Sequence, residues 1–231
     1  MRSIPLPEYE ALVKDAEILS SEYVDSRFSP KVLRLKDQSI IKLFRLKRLL
    51  TSARLVPYPI RFRRHALKLR DADIPTVEIL AVFKITALHR TAVHYRPLEG
   101  HTLREHCEHQ PIKRQLAKQL GQFFQLLHQK GIYFRSIHFG NLVLTSDQRV
   151  GLIDVADMRF RRGTLNMGMR IRNLRHLFRY DSDRDYLSPV RHTFIDAYCT
   201  SANLPSRQEQ QLRNHYESYF DAGAVQHRSR A

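Results

Sequence analysis

The stretch Leu127-His128-Gln129-Lys130-Gly131-Ile132-Tyr133-Phe134-Arg135-Ser136-Ile137-His138-Phe139-Gly140-Asn141 concentrates most of the chemistry in this chain. It continues through Leu142-Val143-Leu144 and, past a polar turn over 145–149, into Gly151-Leu152-Ile153-Asp154-Val155-Ala156-Asp157. The expected order is a helix closed at Gly131, a loop ending at Asn141, short strands over 142–144 and 150–153, and then a carboxylate. Asn141 and Asp154 thus fall at the inner ends of two hairpin strands. Side-chain oxygens presented in that way suit Mg²⁺, a hard ion that takes one or two protein groups and draws the rest from substrate phosphates. Taken singly, an Asn after Gly is a common turn residue and an Asp after an apolar strand a common helix cap. Their joint spacing, with Arg135 ahead and the hairpin between, favours the ligand reading.

Upstream, the pattern predicts a small sheet with a helix laid across it. Residues 8–21 bring Leu12, Ala16 and Leu19 to one face at helical spacing. Residues 31–35 and 39–44 flank the turn-like Lys36-Asp37-Gln38 and read as a hairpin. Residues 60–71 form a basic helix that stops before Asp73-Ile74-Pro75, because a residue preceding proline is pushed out of the α region. Strands follow over 78–85 and 91–98, ending at Pro97 and the Glu99-Gly100 turn. Beyond Gly100 the chain turns helical. Thr102 and Glu105 make a capping box for 103–109. Pro111 opens a longer helix with Leu116, Leu120, Phe123, Phe124 and Leu127 in one stripe. Helical spacing returns from Ile171 to Phe220.

Composition narrows the class. The chain has 231 residues, 42% hydrophobic and 27% charged, which excludes a disordered tail or a collagen-like chain. Its apolar runs are far shorter than the roughly 20 residues of a membrane span, and Met1–Glu10 lacks the apolar core of a signal peptide. Two cysteines, Cys107 and Cys199, are too few for a disulfide framework, so a cytoplasmic protein is expected. The net charge of +16 attracts polyanions. Between Gln38 and Arg70 there is no acidic residue, yet there are ten basic ones: Lys42, Arg45, Lys47, Arg48, Arg54, Arg61, Arg63, Arg64, Lys68 and Arg70. Such a segment, 42–70, suits an anionic membrane surface, where each basic residue contributes about 1 kcal/mol. Nucleic acid is the weaker reading, since zinc-finger spacing, an RNP-like aromatic motif and tryptophan are all missing. His101, His106, Cys107 and His109 cluster without a second ordered ligand pair, which disfavours a structural zinc.

The central stretch resembles the catalytic and metal-binding loops of the protein-kinase-like fold, in which H-R-D-x-x-x-x-N is followed by D-F-G. Arg135 matches the Arg, Ser136 lies where the catalytic Asp belongs, Asn141 matches the Mg²⁺-binding Asn, and Asp154-Val155-Ala156 stands at D-F-G. His138 resembles the His of the H-x-x-N variant of small bacterial kinases and aminoglycoside phosphotransferases. Ser39-Ile40-Ile41-Lys42 looks like the strand supplying the phosphate-contacting Lys. Within that fold the chain is most similar to bacterial lipopolysaccharide core kinases of the heptose and Kdo type and to pseudomonad toluene-tolerance-type proteins. The resemblance implies an α+β bilobal fold. Its N-lobe, 1–96, would be a small antiparallel sheet with one helix. Its C-lobe, 97–231, would be mostly helical, with a catalytic-like loop over 134–141 and a metal-like loop over 154–157. It further implies ATP and Mg²⁺ as cofactors, held by Lys42, Asn141 and Asp154. The acceptor would be a lipopolysaccharide core sugar or related anionic phosphosugar, placing the protein peripherally on the inner membrane.

The sequence departs from that pattern at three points. Ser136 replaces the carboxylate base, the helix over 60–70 offers no Glu to pair with Lys42, and Ser26-Arg27-Phe28-Ser29-Pro30 has no glycine to wrap a phosphate. Asp157 and His138 are the candidates to replace the base. The departures also fit a second class, a pseudokinase that keeps the fold as a binding or regulatory module and transfers nothing.

Overall fold

The computed structural model of the chain describes residues 1–24, 27–45 and 56–228, with side chains over 1–23, 28–45 and 56–221. It is a mixed α+β structure that divides into two compact units. Met1–Leu98 forms one together with Asp154–Ala156, and the rest forms the other.

The first unit holds a six-stranded sheet. In chain order it comprises β1 (Arg2–Ile4), α1 (Leu6–Val13), β2 (Glu17–Val24), β3 (Arg27–Arg34), β4 (Ile40–Arg45), α2 (Tyr58–Asp71), β5 (Glu78–Ile85) and β6 (Arg90–Arg96). The strands lie in the order β1-β5-β6-β4-β3-β2, antiparallel throughout except for the β1–β5 pair. Alternation along β4 sends Ile41 and Leu43 into a core with Leu33, Phe83, Ile85 and Ala92. Lys42 and Phe44 take the other face. The β3–β4 turn is tight because Asp37 Oδ1 accepts the Ser39 amide at 3.0 Å and Gln38 adopts a left-handed φ of 65°.

The second unit carries β7 (His101–Thr102), α3 (Leu103–His109), α4 (Arg114–Gln129), β8 (Ile132–Phe134), β9 (Leu142–Leu144), β10 (Val150–Leu152), β11 (Met158–Phe160), α5 (Met167–Leu177), α6 (Asp181–Leu187), α7 (Arg191–Ala202) and α8 (Ser206–Arg228). Thr102 caps α3 reciprocally: its Oγ1 accepts the Glu105 amide at 3.2 Å, and Glu105 Oε2 accepts the Thr102 amide at 2.7 Å. The apolar stripe of α4 packs on α7 through Phe124 and Phe194, whose ring centroids are 5.5 Å apart. At the crossing a Cβ on Gly121 would stand 2.2 Å from the Phe194 carbonyl oxygen. Alanine raises helix propensity by about 1 kcal/mol, but prising two helix backbones apart costs more, typically about 1–3 kcal/mol for overpacking. Gly121→Ala is therefore expected to lower unfolding free energy by about 1–2 kcal/mol in urea denaturation. A stabilised variant would show that the two helices have room to spare.

Two expectations are corrected. The helix over 8–21 is instead α1 followed by the edge strand β2. Asp15, at φ 64°, cannot continue a helix, and residues 17–24 find backbone partners on β3. Leu19, counted toward a helical face, lies on that strand. The long helix does not open at Pro111 but at Arg114, because Gln110 is extended and Ile112 is drawn into the core at 5% exposure. The pairings β1–β5 and β7–β9 join segments too short and too distant to announce themselves. Ser26, and with it part of the glycine-free loop, lies outside the described residues, as do Lys47, Arg48 and Arg54 of the basic segment.

Candidate active site

In the first unit the side chains of Lys42 and Asp154 meet. Lys42 Nζ donates to Asp154 Oδ1 at 2.6 Å, linking residues 112 positions apart. Lys42 is set centrally in the sheet, paired with Val32 of β3 and Val93 of β6, so its side chain is only 14% exposed. Its Nζ also lies 5.9 Å from the Phe44 ring centroid, and that ring stacks on Tyr58 of α2. Asp154 takes φ 53°, a left-handed conformation that aspartate adopts more readily than most residues. The residue after it is held from α2. His65, buried on α2, donates from Nδ1 to the Val155 carbonyl oxygen at 2.8 Å, occupying the helix where a Glu partner for Lys42 was sought. Burial holds the His65 imidazole toward its neutral form. Tyr95, packed on Phe62 with centroids 5.4 Å apart, has its hydroxyl pushed well above the phenol range, first by burial and then by the Asp154 charge.

In the second unit the segment 134–141 is held at several points. Asn173, fully buried, donates from Nδ2 to the Phe134 carbonyl at 2.7 Å and accepts the Phe134 amide at 3.3 Å. It also meets His128 Nε2 at 3.3 Å, and His128 Nδ1 accepts from the Tyr198 hydroxyl at 2.7 Å. Burial pushes the His128 imidazole down to about 3, so it serves as a neutral strut. Asp183 accepts the Phe139 amide at 2.9 Å and a forked pair from Arg104. Asn141 donates from Nδ2 to the Ser136 carbonyl at 2.8 Å, which turns its Oδ1 away from that bond. His138 Nδ1 accepts the Gly140 amide at 3.1 Å, and its ring meets Tyr180 edge-on. The Arg135 amide donates to the Asp157 carbonyl at 3.2 Å, and their charged ends lie 3.7 Å apart.

Lys42 and Asp154 are thus brought together in one unit, while Ser136, His138, Asn141 and Asp157 sit on the catalytic-like loop and its flank in the other. His65, Tyr95, Arg104, Asn173 and Asp183 were not singled out in the sequence. Each acts on a backbone group or a side chain remote in the chain, and such pairings leave no local spacing to read. Lys42 and Arg45 of the basic segment pair with Asp154 and Glu22 respectively, and Arg63, Arg64, Lys68 and Arg70 have exposed side chains on α2. Among the described residues no group of three or more His, Cys, Asp or Glu is placed to hold a metal ion, and no helix is long and apolar enough to cross a membrane.

No protein-family model matches the chain, and no curated protein does. Among solved structures it is similar to a complex of WbdD with the kinase inhibitor LY294002, at 13% identity and a TM-score of 0.44. The match covers 83% of this chain and 49% of that one, so the chain spans about half the length of that protein.

Proposed function

We propose that the chain is a kinase-like phosphotransferase that binds ATP and Mg²⁺ and phosphorylates a lipopolysaccharide core sugar or related phosphosugar at the cytoplasmic face of a membrane. The observation that carries this reading is the Lys42–Asp154 ion pair, which joins the two residues that the loop resemblance assigns to the phosphates and the metal. Lys42 would turn from Asp154 to the α- and β-phosphates when nucleotide enters. The donor set fits Mg²⁺: one carboxylate and one amide oxygen, both hard, leave the remaining positions to phosphate oxygens and water. Asp154 and Asn141 would hold the ion, which supplies charge neutralisation of the transferring phosphoryl group when bound. Ser136 would orient the acceptor hydroxyl by hydrogen bonding, and His138, committed through Nδ1 to the Gly140 amide, would brace the loop. Asp157 would be the substitute base, a carboxylate that Arg135 engages at 3.7 Å. The exposed arginines and lysine of α2 would face the anionic leaflet.

A second reading has its own observation. Ser136 offers no carboxylate at the base position, which favours a pseudokinase that binds nucleotide without transfer. A thermal shift of the full chain tests the feature common to both. ATP with Mg²⁺ at a hundredfold excess over Kd is expected to add about 2.7 kcal/mol, or roughly 5–10 °C in Tm. Asp154→Asn and Lys42→Met should each abolish the Mg²⁺-dependent part of that shift. A wild-type Tm indifferent to ATP with Mg²⁺ would sink both readings.

A further inference from the structure

The second unit contains a cavity of about 600 Å³ walled by arginines: Arg172 and Arg175 on α5, Arg179 after it, and Arg184 on α6. His176, Phe178 and Tyr219 complete its lining. Arg172 and Arg175 are three apart on one helix, a spacing at which like charges face each other and repel. Among the described residues, ion pairing in this cavity is limited to Arg184, which meets Asp181 at 2.9 Å. Arg179 turns one nitrogen to the Arg135 carbonyl at 3.4 Å. The field of the group registers on His176, whose imidazole is held toward neutrality by burial and then by Arg179, Arg135, Arg172 and Arg175. That ring is fixed by a 3.0 Å hydrogen bond to the Tyr133 hydroxyl, and Tyr219 is fixed by one to the Ile171 carbonyl at 3.3 Å. Positive charge has been gathered on a concave, braced surface with little internal compensation.

We infer that this cavity is a binding site for a small ligand carrying two or more phosphate groups, of the sugar bisphosphate class. Guanidinium forks match phosphate oxygens in pairs, and arginines from separate elements around one cavity can engage two phosphates at once. A volume of this order suits a sugar-sized ligand. A nucleic-acid strand calls for an extended groove with aromatic rings on which successive bases stack, whereas this pocket is local and lined chiefly by guanidinium groups. The cavity draws on no residue of the Lys42–Asp154 unit, so its ligand is a separate matter from the nucleotide.

Isothermal titration of the full chain in Mg²⁺-free buffer tests it, with glucose 1,6-bisphosphate as the soluble probe. Phosphatidylcholine vesicles doped with phosphatidic acid serve as the lipid-borne one. Saturable binding of the sugar bisphosphate is expected, weakened at least tenfold in Arg175→Gln/Arg179→Gln and partly restored in Arg175→Lys/Arg179→Lys. Arg114→Gln/Lys118→Gln, an equal loss of charge at exposed positions on α4, should leave the affinity unchanged. Binding of the vesicles alone, lost in the same cavity variant, would assign the phosphates to a lipid and overturn the sugar bisphosphate assignment. Equal weakening by both double variants would mean a diffuse charge effect and overturn the site, as would the absence of saturable binding to either probe.

Discussion

Asp183→Ala is expected to lower the unfolding free energy by about 3–5 kcal/mol, as removal of one member of a buried ion pair does. Asp183 has no exposed surface, and both its oxygens are committed. Oδ1 accepts from Arg104 Nε at 3.0 Å and Nη2 at 2.7 Å, and Oδ2 accepts from Arg104 Nη2 at 2.9 Å and from the Phe139 amide at 2.9 Å. Deleting the carboxylate strands a guanidinium that is 30% exposed and also orphans a buried backbone donor. The Tyr180 ring, 4.6 Å from the Arg104 guanidinium carbon, offsets only part of that loss. Asp183→Asn should fall between wild type and Ala, because it keeps an acceptor but sets an NH₂ against one of the two donors. The double variant Arg104→Met/Asp183→Ala should recover part of the loss, since no charge is left without a partner. Urea denaturation read as a lower midpoint at constant slope checks the series. A loss under about 1 kcal/mol in Asp183→Ala would mean that the pair is effectively solvated. Because Phe139 lies on the catalytic-like loop, faster amide exchange at that position should accompany the destabilisation.

The same clamp shows what a sequence carries and what it does not. The α3 capping box, the β3–β4 turn and the apolar stripe of α4 were legible because each depends on residues within a turn or two of one another. The helix misread over 8–21 shows the limit of periodicity. Leu12, Ala16 and Leu19 keep helical spacing across Asp15, but residues 17–24 gain a run of strand partners on β3, broken only by register shifts between Ile18 and Ser21, and that tertiary gain decides the outcome. Lys42, Asn141 and Asp154 could be singled out only because they sit in a spaced pattern. Asp183 and Asn173 belong to no such pattern. Their partners are backbone groups at Phe139 and Phe134, so nothing but the folded chain reveals that those loop ends are pinned. The arginines of the cavity were invisible for a different reason: on paper, a basic helix end is also what the helix dipole favours.

On the proposed phosphotransferase reading, Ser136→Asp is expected to raise the rate of phosphoryl transfer by about 10²–10⁴-fold, the range of general-base assistance. The substitution is tolerable in the fold, because Asn141 grips the Ser136 backbone oxygen and not its side chain, so the 2.8 Å bond survives the exchange. Ser136 is half-buried on a loop. A serine hydroxyl orients an acceptor but takes no proton near neutrality, whereas an aspartate with an ordinary pKa near 4 is fully ionised there. The two forms therefore differ in pH profile as well as in rate. The Ser136→Asp variant should be flat from about pH 6 upward. The parent should climb with pH, as solvent hydroxide replaces the missing base. Initial rates of labelled γ-phosphate transfer to core oligosaccharide measure both, and the gain belongs in kcat with KM little changed, since the carboxylate acts in the transition state. A parent that transfers at the same rate as the variant would assign proton removal to another group, with Asp157 first in line. No transfer by either would leave Lys42 and Asp154 as a nucleotide-holding pair in a chain that performs no chemistry. A missing base would then be the consequence of that loss, and restoring the carboxylate alone would not reverse it.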